Sequence, residues 1–138
     1  MLADSAQAVG GKLYILGGGW SIRKPEPVPV AVALKIEVPW DQANIKHTFR
    51  LILLDADGGK VKISTEKGEK DIEIKGEFET GRPPRVIPGT PLDVTLAITF
   101  SPFPLKPNSR YVFQLFINEE THDNWCLGFS TRSAKEKK

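Results

Sequence analysis

Apolar side chains recur at alternate positions along much of this chain, which is the pattern of a strand with one face in a core and one in water. Residues 30–38 place Val30, Val32, Leu34, Ile36 and Val38 on one face, with Lys35 and Glu37 on the other. Residues 92–100 repeat the pattern with Leu92, Val94, Leu96, Ile98 and Phe100, and residues 111–117 with Tyr111, Phe113, Leu115 and Ile117. Between positions 71 and 79, Ile72, Ile74, Gly76 and Phe78 alternate with charged residues, and Trp125, Leu127 and Phe129 continue the series. These segments are rich in β-branched and aromatic residues, as strands prefer.

One segment breaks the alternation. Residues 48–54, TFRLILL, are apolar on both faces beyond Arg50, which predicts a central strand covered on both sides or one that meets a partner. Asp55-Ala56-Asp57-Gly58-Gly59 then reads as a turn leading to Val61 and Ile63, and Gly10-Gly11 reads as the turn of an opening hairpin between residues 2–8 and 12–16. The one helical candidate is the short Pro39 to His47 segment, where Pro39 suits a first turn. Prolines cluster at 25–29, 83–91 and 102–107, and because proline donates nothing to a ladder, these mark loops and edges. The pattern predicts an all-β, single-domain, two-sheet antiparallel β-sandwich, Ig-like or a related Greek key, with eight or nine short strands. It spans residues 1–131, and residues 132–138 form a basic, flexible tail.

Composition narrows the function classes. The chain has 138 residues, 19 basic and 17 acidic, and a single cysteine, Cys126. One cysteine excludes an internal disulfide framework and suits a reducing compartment, so a cytoplasmic location is expected. The tail holds four of the basic residues and one acid, leaving 15 basic against 16 acidic in the body. Charges of both signs interleave, as in EKGEKDIEIKGEFE at 66–79, rather than clustering into a basic face, so no nucleic-acid partner is expected. Residues 1–9 lack the basic start and apolar run of a secretory signal, and Val28–Leu34, the longest nearly apolar stretch, is too short to span a bilayer, so no membrane partner is expected either.

Candidate chemistry is sparse. Asp55 and Asp57 resemble the start of a calcium loop, but the further oxygen ligands of such a loop do not follow, and Asp and Gly serve a turn on conformational grounds alone. A C2-like site remains open if Asp41 or Asp123 converges on them. Gly17, Gly18, Gly19 and Trp20 form a structural motif: glycines after a strand let the chain bend or pass another backbone, and Trp20 then covers the core. His47 and His122 lie too far apart in sequence to suggest a metal pair, and Cys126 with His122 lacks an orienting third group. Trp20, Trp40 and Trp125, with Tyr14 and Tyr111, are candidates for a stacking platform; Trp125 reads as core and Trp40 as the most exposed indole. Trp40, Ile52 and Leu54 are the candidate interaction surface. No catalytic residue, cofactor or metal site is expected.

The stretch Leu2-Ala3-Asp4-Ser5-Ala6, followed by Gly11-Lys12-Leu13-Tyr14-Ile15-Leu16-Gly17-Gly18-Gly19-Trp20, resembles the opening of a family of small, largely actinobacterial proteins of unknown function. Pro88-Gly89-Thr90-Pro91 and the Tyr111–Asn118 strand extend the likeness more weakly. The resemblance implies a stand-alone β-sandwich and brings no activity. The expectation is therefore a non-enzymatic protein that works through protein contacts, as a homo-oligomer or an accessory subunit. The alternative is a ligand-binding module, calcium-dependent or carbohydrate-binding.

Overall fold

The computed structural model describes residues 1–133, and over these the chain is almost entirely β. Its strands are β1 (Leu2–Val9), β2 (Lys12–Gly18), β3 (Ile22–Arg23), β4 (Val28–Val38), β5 (His47–Asp55), β6 (Lys62–Thr65), β7 (Gly68–Asp71), β8 (Glu73–Phe78), β9 (Leu92–Phe103), β10 (Arg110–Ile117) and β11 (Cys126–Thr131). One sheet has the order β2-β1-β4-β9 and the other β3-β11-β10-β5-β8, while β6 and β7 pair with each other as a separate hairpin. No helix among the described residues is long and apolar enough to cross a membrane. Residues 134–138 of the expected tail lie outside the described residues.

The two sheets face each other across a core built from the alternation read above. Val30 and Val32 of β4 and Ile98 and Phe100 of β9 meet Leu51 and Leu53 of β5, Phe113 of β10 and Phe129 of β11. Phe113, 1% exposed, is the centre, with ring centroids 5.1 Å from Phe100 and 5.8 Å from Phe129. A second cluster of Val38, Ala43, Phe78 and Leu92 closes the far end. On the opposite face of the first sheet, Ala31 and Ala33 pack with Ala6, Leu13, Ile15 and Ala97. The small side chains let the β1–β2 hairpin lie against that face as a partial third layer.

Three expectations are corrected. β3 pairs with β11 in parallel, so the second sheet is not wholly antiparallel: Ser130 donates its N–H to Ser21 and Arg132 to Arg23. The bend at Gly19 and Trp20 carries the chain across from the first sheet, and it arrives beside β11 running the same way. The 71–79 segment is two strands rather than one. At Ile72 the backbone donates to Val61 and accepts from Leu53, so the chain turns from the β6–β7 hairpin into the main sheet there. The Pro39 to His47 segment holds a single 3-10 turn at Trp40–Gln42, ended by extended Ala43 and by Asn44 at φ 59°.

The glycine motif is structural for two different reasons. Gly17 and Gly19 have φ of 61° and 87°, a region open to glycine and costly for a β-branched residue, whereas Gly18 does not. At Gly18 the constraint is space, since a Cβ would sit 2.6 Å from the Ile15 Cγ2 and 2.8 Å from the Met1 Sδ. At Gly17 it would run into the Asp4 carboxylate. Trp20 lies edge-on to Phe129 at 5.7 Å, covering the core end. Gly17→Val is expected to cost about 1–3 kcal/mol, seen as a lowered Tm; an unchanged Tm refutes this account of the motif.

Candidate functional site: the cleft between the sheets

The sandwich is not closed along its whole length. Toward the second half of β4 and the start of β11 the sheets enclose a cleft of about 630 Å³. Leu34 and Ile36 form one wall, and Leu115, Ile117, Leu127 and Trp125 the other. These residues continue the inward series of their strands, yet each is only half-buried, because the opposite wall stands too far off to cover it. Met1, Asn124 and Cys126 are exposed at the mouth. Ligand pockets are typically concavities of roughly 300–1,000 Å³ with apolar walls and a few polar groups, and this cleft has that form.

The inner end is closed by a polar group that is internally satisfied. His47, buried at the start of β5, has Nε2 3.0 Å from the Gln42 carbonyl and Nδ1 3.0 Å from the Asn118 side-chain nitrogen. The Asn118 amide donates to Nδ1, so Nε2 carries the proton and donates to Gln42. Asn118 in turn accepts the Thr48 N–H on Oδ1 at 3.0 Å. The His47 ring stacks on Phe78 at 5.3 Å. With both ring nitrogens engaged, His47 serves as a packed floor rather than a base.

Both strands at the mouth have an open edge. Ala33 exchanges both backbone hydrogen bonds with Met1, and beyond it, among the described residues, no strand lies beside β4 on that side. Backbone groups alternate in direction along a strand, so the N–H and C=O of Lys35 and Glu37 point the same way as those of Ala33, into the open. Across the cleft, Ser130 and Thr131 pair with β3, but Cys126 and Gly128, whose backbone groups share Ser130's direction, have no strand of the described residues beside them.

Residues 1–128 match a family of unknown function, DUF6941. The chain belongs to this family. The matched span contains every residue that lines the cleft. DUF6941 supplies no activity to transfer, and no curated protein matches the chain, so the roles of its side chains follow from their own surroundings.

In this DUF6941 chain the expected site residues are dispersed. Trp125 lines the cleft instead of filling the core, its ring edge-on to His122 at 4.4 Å. Trp40 is half-buried under Arg82, whose Cζ lies 4.8 Å from the ring centre and whose Nη2 donates to the Trp40 carbonyl at 2.9 Å. Trp20 is at the core end, Tyr111 is buried with its hydroxyl accepting the Lys106 N–H at 3.1 Å, and Tyr14 is exposed on β2. The aromatic residues thus sit in separate places and do not form one platform. Ile52, 1% exposed, is buried within the chain and offers no surface; Leu54 is half-buried beside the Asp55 turn. The Cys126 thiol donates to the Asp123 carbonyl at 3.2 Å.

Asp55 builds its turn directly: Oδ1 accepts the N–H groups of Asp57 and Gly59, both at 2.9 Å, while Gly58 takes φ 83°. Among the described residues no three His, Cys, Asp or Glu are grouped as metal ligands would be. Excess calcium is therefore expected to leave Tm unchanged, whereas a bound ion at a hundred times its dissociation constant stabilises by about 2.7 kcal/mol. A calcium-dependent rise lost in Asp57→Asn contradicts this.

Sequence reading missed Arg23. It is buried at the end of β3, with Nε donating to the Lys24 carbonyl and Nη2 to those of Glu26 and Phe103, at 2.9, 2.9 and 3.2 Å. Burial lowers its proton affinity, opposed by Tyr111 and Glu26. It ties the loop after β3 to the end of β9. A single Arg between Ile22 and Lys24 carries no periodic signal of that role.

Proposed function

We propose that this chain is a non-enzymatic accessory protein of the bacterial cytoplasm whose cleft binds a compact apolar ligand. The observation that carries the reading is the 630 Å³ opening walled by Leu34, Ile36, Leu115, Ile117, Leu127 and Trp125. Half-buried apolar side chains facing each other across a gap gain by having that gap filled, at about 25 cal/mol for each Å² removed from water. The non-enzymatic part is supported by the engagement of both His47 nitrogens and by the Cys126 thiol turning to a backbone carbonyl. The apolar walls favour this ligand class over a sugar, which needs stacked aromatics and polar partners together. Association with protein is the second reading, favoured by the open edges of β4 and β11.

The test is titration with anilinonaphthalene sulfonate, whose fluorescence rises in apolar sites. Wild type is expected to bind it saturably and to gain Tm on binding. Ile36→Glu, which sets a charge on the half-buried wall, is expected to weaken binding at least about tenfold while the β-type CD spectrum is kept. Absence of binding, or equal binding by wild type and variant, overturns the reading.

A further inference from the structure

We propose that the open edge of β4 pairs with the same edge of a second copy, antiparallel and centred on Ile36, joining the two first sheets into one across a two-fold axis. The free stretch runs from Leu34 to Val38, bounded by the Met1 pairing at Ala33 on one side and by Pro39 and its 3-10 turn on the other. Within it, Lys35 and Glu37 present unpaired N–H and C=O groups. An antiparallel strand centred on Ile36 sets Lys35 opposite the other copy's Glu37 and Glu37 opposite its Lys35. Each of these pairs exchanges both backbone hydrogen bonds, and the two Ile36 side chains meet on the cleft face.

Charge selects this occupant. Reading toward the C-terminus, Leu34-Lys35-Ile36-Glu37-Val38 is apolar, basic, apolar, acidic, apolar. An antiparallel neighbour must supply an apolar residue opposite Val38, a base opposite Glu37, an apolar residue opposite Ile36, an acid opposite Lys35 and an apolar residue opposite Leu34. That is the same five-residue order, so the edge is complementary to itself. Opposite charges directly across a pair of strands attract and like charges repel, and an isologous contact requires a self-complementary patch. Within one copy Lys35 reaches Glu37 at 3.8 Å and Asp93 at 3.7 Å, so two acids share one base and a second lysine is accommodated. These are exposed pairs of small worth alone, and they re-form across the axis at little cost. The β11 edge, with Cys126 and Gly128, carries no charge of either sign and has no such preference.

The experiment is sedimentation over a concentration series, with dye binding measured on the same samples. Wild type is expected to dimerise. Lys35→Glu gives an all-acidic edge and Glu37→Lys an all-basic one, and each is expected to weaken the dimer about tenfold or more, since two symmetry-related pairs turn from attraction to repulsion. The double variant Lys35→Glu/Glu37→Lys is self-complementary again and is expected to recover the dimer. A mixture of the two single variants is expected to form a heterodimer. Glu37→Pro removes an N–H from the open side alone and is expected to give a folded monomer. A monomeric wild type, or a dimer indifferent to the charge changes and to Glu37→Pro, overturns the proposal. A monomeric Glu37→Pro that still binds dye separates the two ideas, because the cleft reading then stands by itself; a charge-dependent dimer that binds no dye leaves the edge pairing and removes the cleft reading.

Discussion

Ile52→Glu is expected to unfold the protein. Ile52 is 1% exposed, and its neighbours in register are Gln114 on β10 and Glu73 on β8. The Glu73 carboxylate already accepts from Arg50 at 3.4 Å, and Arg50 in turn reaches Glu119 at 3.5 Å and lies 4.1 Å from the centre of the Phe116 ring. Arg50, two residues away on the same face of β5, is thus already engaged by two carboxylates. Forcing an unpaired charge into such a site costs several kcal/mol, on top of about 2 kcal/mol of lost apolar burial, against a total stability of roughly 5–15 kcal/mol for a domain. Far-UV CD and light scattering check it. A folded, monomeric variant beside an associated wild type returns Ile52 to the role of interface residue.

Phe113→Ala is expected to cost about 3–5 kcal/mol, through lost transfer energy and a cavity that the two sheets cannot close without moving. For a domain of this length that corresponds to a fall in Tm on the order of 10–20 °C. Leu115, two residues along the same face of β10, is the internal comparison. It stands on the wall of a space that is already open, so Leu115→Ala removes less buried surface and creates no enclosed void. Denaturant unfolding of both variants reads the contrast; equal losses mean that the cleft is closed in solution.

That contrast also marks how far the sequence is legible. Alternation places Phe113 and Leu115 on the same inward face, and Val32 with Leu34, but it is silent on the distance to the opposite wall. Which inward residues meet a partner and which face a gap depends on which part of β4 the β1 strand pairs with and where β11 begins, set by pairings between remote segments. The Asp55 turn, the Gly10-Gly11 hairpin and the strands β4, β9 and β10 are readable because their signals are local. His47 with Asn118, Arg23 with Phe103, and the short parallel contact of β3 with β11 join residues far apart, with types that carry no period. Trp125 shows the same limit. Its parity is right and its environment is not, because the strand positions opposite it were never local information. The double-apolar reading of β5 left two outcomes open, and burial of Ile52 and Leu53 selects the one internal to the chain.

The central ladders of both sheets join strands distant in the chain: β4 runs along β9, with Val38 opposite Leu92 and Val28 opposite Phe103, and β5 along β10, with Phe49 opposite Ile117. Such a topology folds slowly, in the range of milliseconds to seconds, because long loops must close before their contacts return anything. Until β10 pairs with it and the facing sheet packs on it, residues 48–54 have an open edge and uncovered faces, and a short β-branched and leucine-rich segment with one charge is what other unfolded copies pair with. The apolar run that buries Leu51, Ile52 and Leu53 in the finished molecule thus makes β5 a segment exposed to misassembly during synthesis, with Arg50 and Asp55 as the charges that flank Leu51–Leu54.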